Sequence, residues 1–295
     1  MYATMLMKRL TLRVQRRYEI VFATAFTLSF LLLHTVIVHA QGNLMIYPKR
    51  VVFDGSKRTQ DLGLANTGAD TATYQVSFVQ IRMKEDGSFE NIEQPDSGQS
   101  FASANLRIFP RTVTIAPKES QAVKLQVINT GSLPPGEYRS HVYFRAVPAP
   151  LPAGETPPMR PKDTSKLEVK LVPVFGVTVP VIIRVGPDST SVVISDMDMD
   201  FKDPKQPQVM FALNRSGNMS AYGDLTIDYI SPSGQRTRAA AVKGVAVYTP
   251  LPKRKVKIDL DNTAKLNYHQ GRLEVNYETA SGKPVTLAKQ EIVLR

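Results

Sequence analysis

The sequence contains no cysteine. No disulfide can therefore hold the fold, even in an oxidising compartment, and the hydrophobic core must be large enough to stabilise the protein alone. The 295 residues are enough for one or two such cores.

Residues for catalysis and metal binding are also scarce. Only two histidines follow residue 40, His141 and His269, and neither lies in a cluster with metal-ligand spacing. A glycine-rich phosphate loop and a Gly-x-Ser-x-Gly motif are both absent. The sequence therefore predicts a protein that is not an enzyme, with no catalytic residue, no cofactor and no metal, and it favours binding through a surface or a strand edge.

Three alternating aspartates are the one candidate for a cation site. Asp196, Asp198 and Asp200 could gather a calcium ion. No ligand-rich loop with glycine surrounds them, so we expect three carboxylates on the solvent face of a strand instead.

The first forty residues have the pattern of an export signal. Five basic residues precede an apolar run over residues 20–38, and Val38-His39-Ala40 offers a small-residue cleavage site. The alternative is an uncleaved membrane anchor, because 19 residues nearly span a bilayer. Either way, we expect the folded part to lie outside the cytoplasm, in the periplasm, with the signal segment as its only membrane contact.

The net charge is +11, of which the signal segment supplies +4. The remaining surplus is spread along the chain and forms no basic-aromatic motif, so nucleic-acid binding is not predicted.

Beyond residue 40, short runs of Val, Thr, Ile and Tyr alternate with Gly, Pro, Asn and Ser, which favours an all-β fold. In the first half we predict single strands over residues 44–53 and 74–83, and an irregular excursion over residues 84–103. Further alternating strands follow, and residues 148–164 form a proline-rich loop. The number and spacing of these strands predict a β-sandwich.

The second half contains seven more strand candidates, with turns at Ser233-Gly234 and Ser281-Gly282. We place a domain boundary at residues 186–188. The predicted organisation is a signal peptide over residues 1–40, a first β-sandwich over 41–186 and a smaller one over 187–295.

The stretch KLEVKLVPVFGVTVPVIIRV, residues 166–185, changes character along its length. Leu167, Val169 and Leu171 alternate with polar residues, as in a strand with one buried face. Residues 172–185 are almost all apolar, as in a strand that is buried on both faces. The apolar face of the alternating half must be buried against another surface. A neighbouring strand, the proline-rich loop or a partner could supply it.

Several motifs, in order, resemble the PapD-like periplasmic chaperones of pilus assembly. They are YPKRVVFDGS from Tyr47, LxLxN from Leu62, FPR from Phe109, IAP from Ile115, and GEYRSHVYFR from Gly136, followed by the alternating strand at Leu167. The match covers residues 44 to about 185. Beyond that, only a second β domain of suitable length agrees.

The resemblance implies two immunoglobulin-like domains in a boomerang arrangement. It also implies that the last strand of the first domain is lent to a pilin-like subunit, with alternate side chains filling the subunit's groove. Leu167, Val169 and Leu171 are then subunit-binding residues. An outer-membrane usher belongs to that route, although the sequence leaves its involvement open.

The family also holds the subunit's terminal carboxylate with an arginine of the first strand and a lysine of the donated strand. The arginine corresponds to Arg50, whose alternative role is that of an ordinary solvated residue. The lysine position falls on or near Pro180, so half of this anchor is missing. Arg184 matches the family's next basic residue; it is counted with Arg50 among the candidate subunit-binding residues, although bracing of the domain junction is the role we favour for it. Pro173, which lacks an N–H, is a second departure from the family pattern.

A second functional hypothesis is a structural or adhesive two-domain surface protein that binds a ligand on a sheet face. Exposed aromatic residues clustered on one face would favour it.

Overall fold

The computed structural model describes residues 44–148, 174–261, 266–280 and 282–294. These residues form strands, loops and two short 3-10 turns, so the predicted all-β class is confirmed. In chain order the strands are β1 Leu44–Tyr47, β2 Val51–Phe53, β3 Thr59–Asn66, β4 Ala72–Val79, β5 Ile81–Met83, β6 Phe89–Asn91, β7 Leu106–Phe109, β8 Thr112–Ile115, β9 Ser120–Val127, β10 Gly136–Val147, β11 Gly176–Val185, β12 Ser191–Asp200, β13 Gln208–Ser216, β14 Ala221–Ile230, β15 Arg236–Val247, β16 Lys253–Asp259, β17 Gly271–Thr279 and β18 Thr286–Leu294.

The first β-sandwich packs a sheet of order β1-β3-β9-β7 against one of order β2-β11-β10-β4-β8. Alternate side chains of both sheets meet in one core, as the period of two requires. Leu62, Leu64, Val123 and Leu125 from the first sheet and Phe144 from the second are fully buried there.

The prediction of one strand over residues 44–53 is wrong. The segment forms β1 in one sheet and β2 in the other, and the chain crosses between them at residues 48–50, where the Tyr47–Pro48 peptide is cis. β1 pairs antiparallel with β3, whereas β2 pairs parallel with β11. The crossover places Arg50 directly before β2.

The strand predicted over residues 74–83 is also divided. β4 ends at Val79 and β5 begins at Ile81, and β5 pairs with β6 in a separate two-stranded ribbon. The region expected to be irregular therefore contains a strand. Its backbone reaches the second sandwich, because the Lys255 N–H donates to the Glu85 carbonyl at 2.6 Å.

Burial along β11 differs from the prediction for residues 172–185. Val179, Val181, Ile182 and Ile183 are at most 2% exposed, but the residues from Val174 to Thr178 are exposed. The buried part of the stretch therefore begins at Val179. Val179, Val181 and Ile183 pack in the core of the first sandwich, and Ile182 packs in an apolar cluster with residues of the second sandwich.

The second sandwich contains sheets of order β12-β13-β16 and β15-β14-β17-β18. Each of the seven strand candidates overlaps one of its strands. The turn predicted at Ser233-Gly234 joins β14 to β15, with Gly234 at φ 87°, and Gly282 between β17 and β18 has φ 76°. The core includes Leu213, Leu225 and Tyr277.

The expectation that three aspartates share a solvent face is wrong for one of them. Asp196 and Asp198 are exposed, whereas Asp200 is buried. Its carboxylate accepts hydrogen bonds from the Lys202 N–H and from the Lys257 ammonium, at 3.0 and 2.9 Å. A register shift between Ser195 and Asp198 interrupts the alternation.

The two sandwiches belong to one compact unit. A small apolar cluster joins them, in which Met83 and Ile182 of the first sandwich contact Ala246 and Tyr248 of the second. The turn after β11, where the sequence places the domain boundary, contains Gly186 at φ 78°.

Candidate functional site: a cationic cleft beside an open strand edge

Arg50 is held by two aromatic rings of the second sandwich. Its guanidinium carbon lies 4.4 Å from the centre of the Tyr222 ring and 5.5 Å from that of Tyr248. Both distances fall in the range of cation–π attraction. The Arg50 Nη1 atom is buried and has no hydrogen-bond partner among the described residues. The crossover from β1 to β2 thus delivers an arginine whose position is fixed while part of its donor capacity remains free.

Arg50 lines a cleft of about 340 Å³ between the sandwiches. Its described lining is Lys49, Arg50, Ile81, Met83, Gly87, Phe89, His141, Thr178, Pro180, Tyr222, Lys243, Gly244, Ala246, Tyr248 and Arg254. Four of these residues are lysine or arginine, and none is acidic. A cavity with this lining attracts anions, since the low dielectric of its walls strengthens the field of the unpaired cations.

His141 forms part of the buried wall of the cleft. It is 3% exposed, its ring lies 6.1 Å from that of Phe89 and 6.2 Å from that of Tyr248, and its Nδ1 has no partner among the described residues. Burial, which is the largest cause, and the neighbouring positive charges of Arg139 and Arg50 together lower the pKa of His141 to about 3. The imidazole is therefore neutral at neutral pH.

Pro180 also lines the cleft, directly opposite His141 on the neighbouring strand. The position at which the family resemblance implies a lysine thus faces the cleft but carries no charge. Lys49 and Lys243 are the two lysines that line it.

Arg184 lies outside the cleft, at the junction of the sandwiches. Its guanidinium contacts the Glu137 carboxylate at 3.2 Å, the Ser220 carbonyl at 2.7 Å and the Asp188 carboxylate at 3.5 Å. Glu137 is buried and also accepts hydrogen bonds from the N–H and the hydroxyl of Ser220. The contacts described for Arg184 are intramolecular and bridge the two sandwiches.

The first half of β11 has an open edge. One side pairs with β10 along the whole strand, and the Ala146 N–H donates to the Phe175 carbonyl at 2.9 Å. On the other side β2 pairs only with Val181 to Ile183. Because backbone groups alternate along a strand, Gly176 and Thr178 direct their N–H and C=O groups to a side where no described strand pairs. We call residues 176–180 the open edge.

Apolar side chains accompany the open edge. Phe175 and Val177 are 51% and 40% exposed, and they have the same parity as the buried Val179 and Val181. The odd-numbered side chains are therefore buried in the core at Val179 and Val181 but exposed at Phe175 and Val177. An exposed apolar edge of this kind is a template for pairing with another chain.

Leu167, Val169 and Leu171 lie outside the described residues. In the sequence they share the odd-numbered parity of Phe175 and Val177. Pro173, which has the same parity, also lies outside the described residues.

The two most exposed aromatic residues of the first sandwich are Tyr47 and Phe109, at 78% and 76%. They belong to β1 and β7, the two outer strands of one sheet, with β3 and β9 between them. They do not form the aromatic cluster that would favour the adhesive hypothesis.

Within the ranges that the structure describes, no group of three or more His, Asp or Glu side chains is placed to hold a metal ion. In the same ranges, no helix is long and apolar enough to cross a membrane.

Sequence reasoning identified Arg50 and Pro180 but not the second-sandwich residues of the cleft. Tyr222, Tyr248 and Lys243 come from strands that no motif links to Arg50. One signal was present: Gly244 interrupts an apolar run, a pattern that marks a bulge or a close approach.

No protein-family model matches the sequence, and no curated protein matches it. Among the solved structures to which this chain is similar, several are described as chaperones. The YadV chaperone is 13% identical with a TM-score of 0.42, covering 86% of this chain and all of that one. The CupB2 chaperone of Pseudomonas aeruginosa is 13% identical with a TM-score of 0.40, covering 85% of this chain and all of that one.

A third similar structure is the complex of the Salmonella enterica SafA pilin with the SafB chaperone. The identity is 13% and the TM-score 0.38, over 86% of this chain and 98% of that one. At such identities and scores, the fold assignment and the site rest on the strand pairing and contacts described above.

Proposed function

We propose that this protein is an exported, non-enzymatic chaperone that caps pilin-like subunits by donating a β-strand edge, for pilus assembly. The observation that carries the proposal is the open edge of β11, together with the exposed side chains of Val177 within it and of Phe175 just before it. Residues 41–186 then form the chaperone domain and residues 187–295 a second domain, after a signal segment that directs the chain to the periplasm.

Strand addition would pair the free backbone groups of the open edge and would cover the exposed apolar side chains beside it. An incoming extended segment would pair with the N–H and C=O groups of Gly176 and Thr178, and each such hydrogen bond contributes about 0.5–1.5 kcal/mol net. The same event would cover Phe175 and Val177. Complete burial of such side chains is worth about 1.5–3 kcal/mol each, and the gain here is smaller because each is already about half buried.

Leu167, Val169 and Leu171 extend the proposed donor row toward the N-terminus. With Phe175 and Val177, they would present alternate apolar side chains to a groove in the subunit, as in peptide recognition by β-augmentation.

Arg50 is the proposed anchor for the subunit's terminal carboxylate. A guanidinium can bind a carboxylate through two parallel hydrogen bonds, and Arg50 has a buried nitrogen without a partner. The Tyr222 ring holds the group in place, so little side-chain entropy is lost on binding.

The proposal is tested by co-expressing the protein with candidate pilin-like subunits and purifying the complex through a tag on the chaperone. We expect stoichiometric capture and rapid loss of subunits in a strain that lacks the chaperone. Stable, soluble subunits in that strain would contradict the proposal. Periplasmic fractionation of the same cells tests export, because a cytoplasmic protein could not meet exported subunits.

A further inference from the structure

Lys243 is a second cation of the cleft, contributed by the second sandwich. It lines the cleft together with Arg50. No acidic side chain forms an ion pair with either residue in the part of the chain that the structure describes. Two uncompensated positive charges from different sandwiches therefore face one cavity.

A β-bulge is what directs Lys243 to the cleft. In β14 and β15, Gly223 pairs with Val245 and Leu225 pairs with Val242, so Lys243 and Gly244 together oppose a single residue. In a regular strand Lys243 would share the parity of buried Val245 and would enter the core of the second sandwich. The extra residue shifts Lys243 to the outer face, and bulges re-aim side chains in this way beside functional sites.

The bulge is fixed by specific contacts. Gly244 has φ 70°, which favours glycine, and its N–H donates to the Asp224 carboxylate at 2.8 Å. A Cβ on Gly244 would lie 2.9 Å from the hydroxyl of Tyr222. Because Tyr222 also supports Arg50, the same local structure positions both cations.

We infer that Lys243 and Arg50 together hold the carboxylate at the C-terminus of the guest chain, with Lys243 supplying the charge that Pro180 cannot. This inference rests on the proposed function. It assigns the second half of the anchor to the second sandwich, so that a bound carboxylate bridges both. The ligand is a carboxylate because the guest of the proposed function is a polypeptide, which ends in one; the guanidinium offers it paired donors and the ammonium adds a point charge.

The anion site is tested first with sodium acetate, at constant ionic strength, by side-chain NMR of the arginine Nε–H and lysine Cε signals. We expect saturable shifts of Arg50 and Lys243, with affinity lowered at least fivefold in K243M and abolished in R50M. K283M removes a lysine at the β17–β18 turn and serves as the matched control, with unchanged affinity. Melting temperatures of K243M and K283M should both equal that of the wild type.

One further variant and one further probe separate the alternatives. If K49M weakens acetate binding and K243M does not, the second cation is Lys49 and the inference is wrong. If inorganic phosphate at the same ionic strength binds more than tenfold tighter than acetate, the assignment to a carboxylate is wrong.

A water-soluble peptide of alternating valine and threonine then serves as a model of the guest chain. Its affinity is measured with a free and with an amidated C-terminus. We expect the wild type to prefer the free carboxylate about tenfold, K283M to do the same, and K243M to lose most of this preference. Equal preference in wild type and K243M would overturn the inference while leaving subunit capture intact. Failure of capture in co-expression, with acetate still bound at Lys243, would instead refute only the proposed function.

Discussion

The guanidinium of Arg50 stacks on the Tyr222 ring at 4.4 Å, so a residue of the first sandwich is positioned by the second. Replacing Tyr222 by leucine removes the ring and its cation–π attraction, worth about 0.5–2 kcal/mol. We expect Y222L to lower the free energy of unfolding by about 1 kcal/mol and to broaden the Arg50 Nε–H signal. Y222F keeps the ring and should match the wild type in both. An unchanged Arg50 signal in Y222L would show that other contacts position the guanidinium.

A substitution at Val177 tests whether the open edge captures subunits, without disturbing the core. Because Val177 is 40% exposed in the free protein, V177E should leave the melting temperature within about 2 °C of the wild type while abolishing subunit capture. V181E is the contrasting variant, since Val181 is fully buried on the same strand face, and it should unfold the protein. Capture by V177E at the wild-type level would contradict donation by this edge.

The same reasoning predicts that V169E and L171E lose capture and remain folded. Unfolding of either variant, measured by thermal denaturation, would indicate that the alternating segment packs within its own domain.

Glu137 at the junction should be among the residues most costly to truncate. In E137A the Arg184 guanidinium and the Ser220 hydroxyl lose a buried partner, and breaking such a pair costs about 3 kcal/mol or more. Denaturant unfolding should show this loss. D61A breaks the exposed Lys124–Asp61 pair and should cost less than about 1 kcal/mol. A similar small cost in both variants would mean that the junction is strongly hydrated.

Acidification should destabilise the protein through His141. Its pKa is about 3 when folded and near 6.5 when unfolded, so between these values the unfolded state binds the extra proton. Stability therefore falls as pH decreases below 6.5, by about 1.5 kcal/mol between pH 6.5 and 5 from this group. H141Q should lack that slope, whereas H269Q, which replaces an exposed histidine, should retain it. Chemical denaturation at several pH values above 5 measures the difference, because the carboxylates titrate mainly below that range. Parallel pH profiles for H141Q and the wild type would exclude His141 as the source.

The strands of the second sandwich were predictable because each is a short apolar run between turn residues. The crossover at residues 48–50 was not predictable, because the segments before and after it are both apolar. They differ only in the strands with which they pair, β3 for β1 and β11 for β2. Nor could composition show which part of residues 172–185 is buried, because the side chains that pack against it come from other strands and from the second sandwich. Arg50 was found from a motif, whereas Tyr222, Tyr248 and Lys243, which line the same cleft from the second sandwich, are distant in sequence.

The short length of β2 has a consequence for which chains can be captured. A strand added to residues 176–180 must stop where β2 begins, immediately after Arg50. About five residues of the added strand, at about 3.3 Å each, therefore pair with the open edge. With its terminal carboxylate at Arg50, the added strand runs in the same direction as β11 and meets β2 end to end. The position of the guest's last residue then determines which guest residues pair with which residues of β11. A purification tag fused to the carboxyl terminus of a subunit should therefore prevent its capture, whereas the same tag at the amino terminus should not.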